Sequence, residues 1–222
     1  KSKFQLKMRK NSKVIFNQHI NKKIIMGVSG GIDSTLTAYI INKIAPKRLI
    51  CVFVNNGLLR KDEVTEVLDN YNKIDIPVTC VDKSQLFISS LKDIVDPEQK
   101  RKIIGSLFID SFVEHCQSLQ LESSNCLLGQ GTIYPDIIES TNIDGANIKS
   151  HHNVGGLPDK LDFTLLEPIK YLFKDDVRGL AQFCQIPEFF TKRHPFPGPG
   201  LAIRIIGNIT PSKIHILQEA DK

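Results

Sequence analysis

Short apolar runs recur along the chain at Ile24 to Val28, Leu49 to Val54, Val78 to Val81, Cys126 to Leu128 and Thr164 to Leu166. Runs this brief, rich in β-branched residues, read as buried strands. Between them the apolar positions fall at three- and four-residue spacing over Ser34 to Ile44, Lys61 to Tyr71, Pro97 to Leu119 and Lys174 to Cys184, the signature of helices with one buried face. Strand and helix alternating in this way predict βαβ units and a doubly wound α/β fold: a parallel sheet of about five strands flanked by helices. In such sheets ligands sit beyond the carboxyl ends of the strands.

The helix from Pro97 has the clearest start. Asp96 is placed to cap it, and proline suits the first helical position. Ile104, Leu107, Phe108, Phe112, Cys116 and Leu119 form its apolar stripe. Lys100, Arg101 and Lys102 put three cations near its beginning, read either as an anion site or as a solvated basic turn. The rhythm breaks from Gly129 to Phe163, a stretch with Gly145, Gly155, Gly156 and the pair His151-His152, which predicts a long functional loop or lid. No cysteine or carboxylate completes a tetrahedral set near the two histidines, so they do not predict a metal site. The run Arg193-His194-Pro195-Phe196-Pro197-Gly198-Pro199-Gly200 excludes helix and central strand and reads as a rigid junction.

The candidate chemistry lies where the first strand meets the first helix. Residues 29 to 35 read Ser-Gly-Gly-Ile-Asp-Ser-Thr. A glycine pair there lets backbone N–H groups turn around an anion, and the helix N-terminus adds its positive end. Asp33 is placed to hold a magnesium ion bridging phosphates. No Gly-Lys-Ser/Thr ending occurs in the chain, which excludes a Walker loop.

Composition narrows the class. The chain has 222 residues, 41% apolar and 24% charged, enough for one full α/β core. Its longest apolar stretch, Leu49 to Val54, is far too short to cross a bilayer, and no secretory leader pattern is present. The expectation is therefore a cytoplasmic protein without a membrane partner. Cys51, Cys80, Cys116, Cys126 and Cys184 form no Cys-x-x-Cys pair and predict reduced, buried thiols. The formal charge of +5 is concentrated in residues 1 to 23, which hold eight Lys or Arg and no acid, leaving 21 basic against 24 acidic residues elsewhere. No aromatic residues interleave that basic stretch in the manner of a base-stacking groove, and a nucleic-acid partner is not expected.

The loop Ser29 to Ser34 resembles the pyrophosphate-binding loop of the ATP pyrophosphatases. Five further stretches resemble the synthetase part of GMP synthase, the glutamine-hydrolysing enzyme that turns XMP into GMP: Val54 to Lys61, Glu98 to Gly105, Gln130 to Ser140, Ile148 to Pro158 and Arg193 to Gly200. The resemblance covers roughly residues 23 to 222 and implies an adenine-nucleotide α-hydrolase-like fold. It implies an ATP site at Ser29, Gly30, Gly31, Ile32, Asp33, Ser34 and Thr35, with Mg2+ on Asp33. Arg101 would hold the XMP phosphate. Lys149, His151 and His152 would close a lid over the α-phosphate, with Asp136 and Glu139 at the lid and in communication with the ammonia supply; a solvated turn is the other reading of those two acids. The chemistry implied is adenylation of the XMP C2 oxygen, loss of pyrophosphate, and displacement of AMP by ammonia.

The same resemblance implies a division into a basic segment or linker over 1–22, an ATP pyrophosphatase domain over 23–197, and a shortened start of the family's dimerisation domain over 198–222. The ammonia would come from a glutamine amidotransferase domain or subunit outside this chain, and the full-length protein would be a homodimer. Asn55 departs from the family pattern, which has Asp there. Two other readings stand beside this one: another synthetase with the same loop, such as NAD synthetase, and an ATP-binding module without catalysis.

Overall fold

In the computed structural model, residues 21–141, 163–194, 196 and 198–221 are described here, without the side chains of 139–141. Strands β1 (Lys23–Gly27), β2 (Leu49–Asn55), β3 (Val78–Asp82), β4 (Cys126–Gly129) and β5 (Thr164–Leu166) form one sheet in the order β3-β2-β1-β4-β5. Every pairing is parallel. The helices are α1 (Ile32–Ile44), α2 (Glu63–Asn72), α3 (Ser84–Ser90), α4 (Pro97–Ser118), α5 (Tyr134–Thr141), α6 (Lys174–Phe183), α7 (Glu188–Thr191) and α8 (Pro211–Ala220), with a 3-10 turn at Gly200–Ile203.

Period-two alternation explains the layers. Ile24, Met26, Cys51, Phe53 and Leu127 pack on one face with Leu36, Val67, Tyr71 and Val177, from α1, α2 and α6. Their neighbours Ile25, Val52, Cys126 and Leu128 pack on the other, against Phe112 and Cys116 of α4. A strand buried on both faces needs no polar side, which is why the runs are continuously apolar. The chain winds outward from β1 through β2 to β3, then crosses to β4 and β5. The reversal between β1 and β4 opens a crevice at their carboxyl ends, and the loop 29–35 leaves β1 at that point.

All five predicted strands and four predicted helices are present, with ends shifted by at most two residues. As predicted, Asp96 caps α4, accepting from the Gln99 amide at 2.7 Å. Of its stripe, Ile104, Phe112 and Cys116 are buried and Leu107 and Phe108 partly so, whereas Leu119 lies past the helix end and is exposed. Three readings need correction. Helix α5 stands inside the stretch expected to be loop, because Asp136 in its first turn accepts from the Ile133 amide at 2.9 Å and closes the helix start. Cys80 is exposed on edge strand β3 and Cys184 is half-buried, so only three thiols are buried. Lys100 does not join Arg101 and Lys102 in a basic turn.

Lys100 is instead completely buried. Its ammonium donates to the carbonyls of Ala202 at 3.3 Å, Ile205 at 2.8 Å and Gly207 at 2.7 Å. Three protons meet three acceptors, the condition under which a cation tolerates burial. Around this point Leu58, Phe87, Leu91 and Ile104 pack with Ala202, Ile205, Ile209 and Ile214, so the final stretch is laid onto α3 and α4 by a third apolar cluster.

Candidate nucleotide site

The loop after β1 is shaped by Gly30, whose φ of 71° suits glycine alone without strain. A side chain there would also strike Arg193 and the Val67 side chain, 2.8 Å away. Gly31 caps α1 in extended geometry with no side-chain bond to the first-turn amides. The loop is braced by hydroxyls: Ser34 and Thr35 donate to the Gly31 carbonyl at 3.0 and 2.9 Å, and Thr35 meets the buried Tyr71 hydroxyl at 2.9 Å. The Ser29 amide rests on Ser34 Oγ and the Gly31 amide on Ser29 Oγ, both at a long 3.3 Å. An anion would offer these amides stronger acceptors at a positive helix end.

From the other side of the crevice, Gly131 presses against the same helix start. A Cβ on Gly131 would lie 3.0 Å from Asp33 C and 3.0 Å from Ser34 N. The β4–α5 turn therefore fixes the height of the first turn of α1. Asp33 receives Lys174, the first residue of α6, whose ammonium donates to both carboxylate oxygens at 2.9 and 2.7 Å. Beneath Gly30, Arg193 pairs with the buried Glu63, which also accepts from the Arg60 amide at 2.7 Å. Burial and the nearby Arg60 charge lower the Arg193 pKa. The Phe196 ring lies 4.6 Å from the Arg60 guanidinium and 5.4 Å from that of Arg204. Both arginines bond Asp221, at 2.7 and 2.5 Å.

The NAD synthase family profile matches residues 8–107. The chain is 51% identical over 201 residues to the glutamine-hydrolysing GMP synthase of Phocaeicola vulgatus and 50% identical over 205 residues to that of Thermosipho melanesiensis, in each case across 90% of the chain. By sequence, the chain matches the synthetase part of the GMP synthases. It spans 38% and 40% of the length of those two relatives. In fold it superposes on an ammonia-dependent NAD synthetase from Campylobacter jejuni with a TM-score of 0.63, at 15% identity, over 99% of this chain and 93% of that one. An NMN synthetase from Francisella tularensis follows at 0.60 and 13% identity, over 96% and 86%.

The resemblance to GMP synthase thus stands, and the structure gathers part of the expected site. Ser29 to Thr35 form one turn at the crevice. Asp136 is half-buried and serves as the cap of α5, while the Glu139 side chain, Lys149, His151 and His152 lie outside the described residues. Arg101 is half-buried on α4, its guanidinium 3.3 Å from Glu98. Asn55 closes a local turn, accepting from the Gly57 amide at 3.0 Å. Sequence reasoning missed Lys174, Gly131 and the Arg193–Glu63 pair. Each meets its partner across more than 95 residues, beyond the reach of any local spacing rule.

Among the described residues no three His, Cys, Asp or Glu side chains converge on a metal position, and no helix is long and apolar enough to cross a membrane. One carboxylate nevertheless fits Mg2+, which often takes one or two carboxylates and completes its shell with substrate phosphates and water. Both Asp33 oxygens already attract an ammonium, so a cation position is built in.

Proposed function

We propose that this chain carries the adenylating step of GMP formation: ATP and XMP bind, the XMP C2 oxygen attacks the α-phosphorus, pyrophosphate leaves, and ammonia then displaces AMP at C2. The observation that carries this reading is half-identity to GMP synthases across nine-tenths of the chain, with the pyrophosphate-type loop at the topological switch of the sheet. Attack at the α-phosphorus places the developing charge on the departing β- and γ-phosphates. The amides of Ser29 to Gly31 and the N-terminus of α1 are oriented in advance for that charge, so little reorganisation accompanies bond cleavage. Ser34 and Thr35 keep the loop in shape through the Gly31 carbonyl. Asp33 would hold Mg2+, which neutralises the leaving group when bound. Arg101 would take the XMP phosphate, and Lys149, His151 and His152 would close over the α-phosphate and exclude water that hydrolyses an adenylate. Asp136 would act indirectly, by fixing the start of α5 ahead of that lid, with Glu139 three positions further along the helix, at the lid and the ammonia supply.

A glutamine amidotransferase supplies the ammonia and a homodimer forms the working enzyme on this reading, in the cytoplasm. The alternative of an NAD-synthetase-type activity shares the loop and the fold but lacks support from the 50% relatives. The test is pyrophosphate release from ATP-Mg2+ with XMP, nicotinate adenine dinucleotide or no acceptor. Release that depends on XMP supports the proposal. Release driven by the dinucleotide, or equal in all three, overturns it. Arg101→Ala should weaken XMP binding more than ATP binding, and equal losses would remove Arg101 from the acceptor site.

A further inference from the structure

Lys174 is the side chain in this crevice whose position is hardest to explain by local structure. It opens α6, where the helix field disfavours a cation. Two acids follow it at once, yet Asp175 sits 3.6 Å from Arg178 and Asp176 accepts from the Phe173 amide at 3.1 Å. Lys174 reaches instead across 141 positions to both oxygens of Asp33. The base of the lysine is held in register: Phe173 packs edge-on against Tyr134 at the start of α5, ring centroids 5.1 Å apart. Its tip is open to solvent, since the Lys174 side chain is 42% exposed and that of Asp33 30%. An ion pair this open is worth little in water and can be exchanged.

We propose that Lys174 is the resident counterion of Asp33, displaced by the divalent cation that arrives with a nucleotide, so that filling the loop exchanges one cation for another. This rests on the reading of Asp33 as the cation ligand. While the loop is empty, the ammonium keeps Asp33 neutralised and oriented and disfavours capture of a bare divalent ion. Once a divalent ion with phosphate ligands competes, the carboxylate passes to it. The lysine stem then leaves its charge beside the loop, where it adds to the positive field around the phosphates. Direct use of Asp33 by both cations at once is disfavoured by their mutual repulsion at such short range.

The exchange has an opposite-sign signature that loss of structure cannot mimic. The probe is Mn2+ alone, followed by water-proton relaxation, on the wild-type chain, Lys174→Met, Lys174→Arg and Lys174→Met/Asp33→Asn. Lys174→Met should bind Mn2+ about three- to tenfold more tightly than wild type, Lys174→Arg should stay near wild type, and the double variant should lose the gain. A second arm measures ATP in EDTA by calorimetry, where Lys174→Met should bind more weakly because the ammonium is the cation left beside Asp33. Mn2+ affinity that is unchanged or reduced in Lys174→Met overturns the proposal, as does a gain that survives Asp33→Asn. Failure of wild type to bind ATP-Mg2+ would count against the nucleotide site itself, while the Mn2+ arm still decides the exchange.

Discussion

Replacing Lys100 by Met keeps an unbranched stem, one atom shorter, and removes the charge and all three donors. The cost can be worked from the geometry. Hydrogen bonds from a charged donor are worth about 1.5–3 kcal/mol each, so three give a gross loss of roughly 5–9 kcal/mol. Against this stands the cost of burying an ammonium, several kcal/mol even after relaxation. That cost is real here, since burial and the nearby Lys213 lower the Lys100 pKa. A methionine recovers it and adds apolar contact. What remains is three carbonyls that have lost their donor, and a net destabilisation of about 2–3 kcal/mol. The final stretch should stay attached, because buried Ile205, Ile209 and Ile214 each contribute about 2 kcal/mol. Urea unfolding should therefore shift by that amount, while amide exchange at 202–208 accelerates more than exchange in β1 and β2. A variant as stable as wild type, or more stable, would show that desolvation outweighs the three bonds and that Lys100 is no anchor.

Gly131→Ala drives a methyl into the backbone of Asp33 and Ser34, so ATP-Mg2+ affinity should drop about tenfold while the melting temperature changes by only a few degrees; equal affinity in calorimetry would remove Gly131 from the support of the loop. Under native alkylation at pH 8, exposed Cys80 should react first by mass spectrometry. Cys51 and Cys116, whose thiols burial pushes up to about 12, should stay unmodified until denaturant is added, and early labelling of Cys51 would contradict the packing. At Asp221 burial raises the carboxyl pKa, but the bonds and charges of Arg204 and Arg60 outweigh it and hold the value below the usual range. A lowered folded value means stability that is present above the unfolded pKa of about 4 and lost as pH falls through the folded one. Asp221→Asn should accordingly flatten the acid limb of the stability curve below about pH 5, and an unchanged limb would show that the two arginines do not stabilise the charged form.

The sheet was legible because its information is local. Ile24, Ile25 and Met26 on central strand β1 are buried on both faces, and a short continuously apolar run is how such a strand is written. The loop was legible for the same reason: Ser29 to Thr35 are contiguous, and the glycine pair marks the turn in which Gly30 adopts a positive φ. Helix α5 was hidden by the glycines around it, since its start is fixed by the Asp136 cap and by the distant Leu172 and Phe173 rather than by a stripe of apolar residues. Lys174 was invisible because its partner is set by the crossing of two distant loops at the sheet switch. Lys100 misled for a different reason: three adjacent cations look alike on paper, and a helix turns consecutive residues about 100° apart, so one went inward while Arg101 went out.

Lys100 and Arg101 also bear on how this protein can be taken apart and rebuilt. A chimera-maker would cut at the proline-and-glycine run and graft everything beyond it from a cousin. Such a graft inherits a ring of oxygen acceptors spaced for an amine that belongs to the host, on a helix more than a hundred positions upstream. If the donor's geometry differs by an ångström, the misfit is felt one residue from the arginine proposed to hold the acceptor. Recombination should therefore succeed when the long fourth helix travels with the tail, and fail when the two are drawn from different parents.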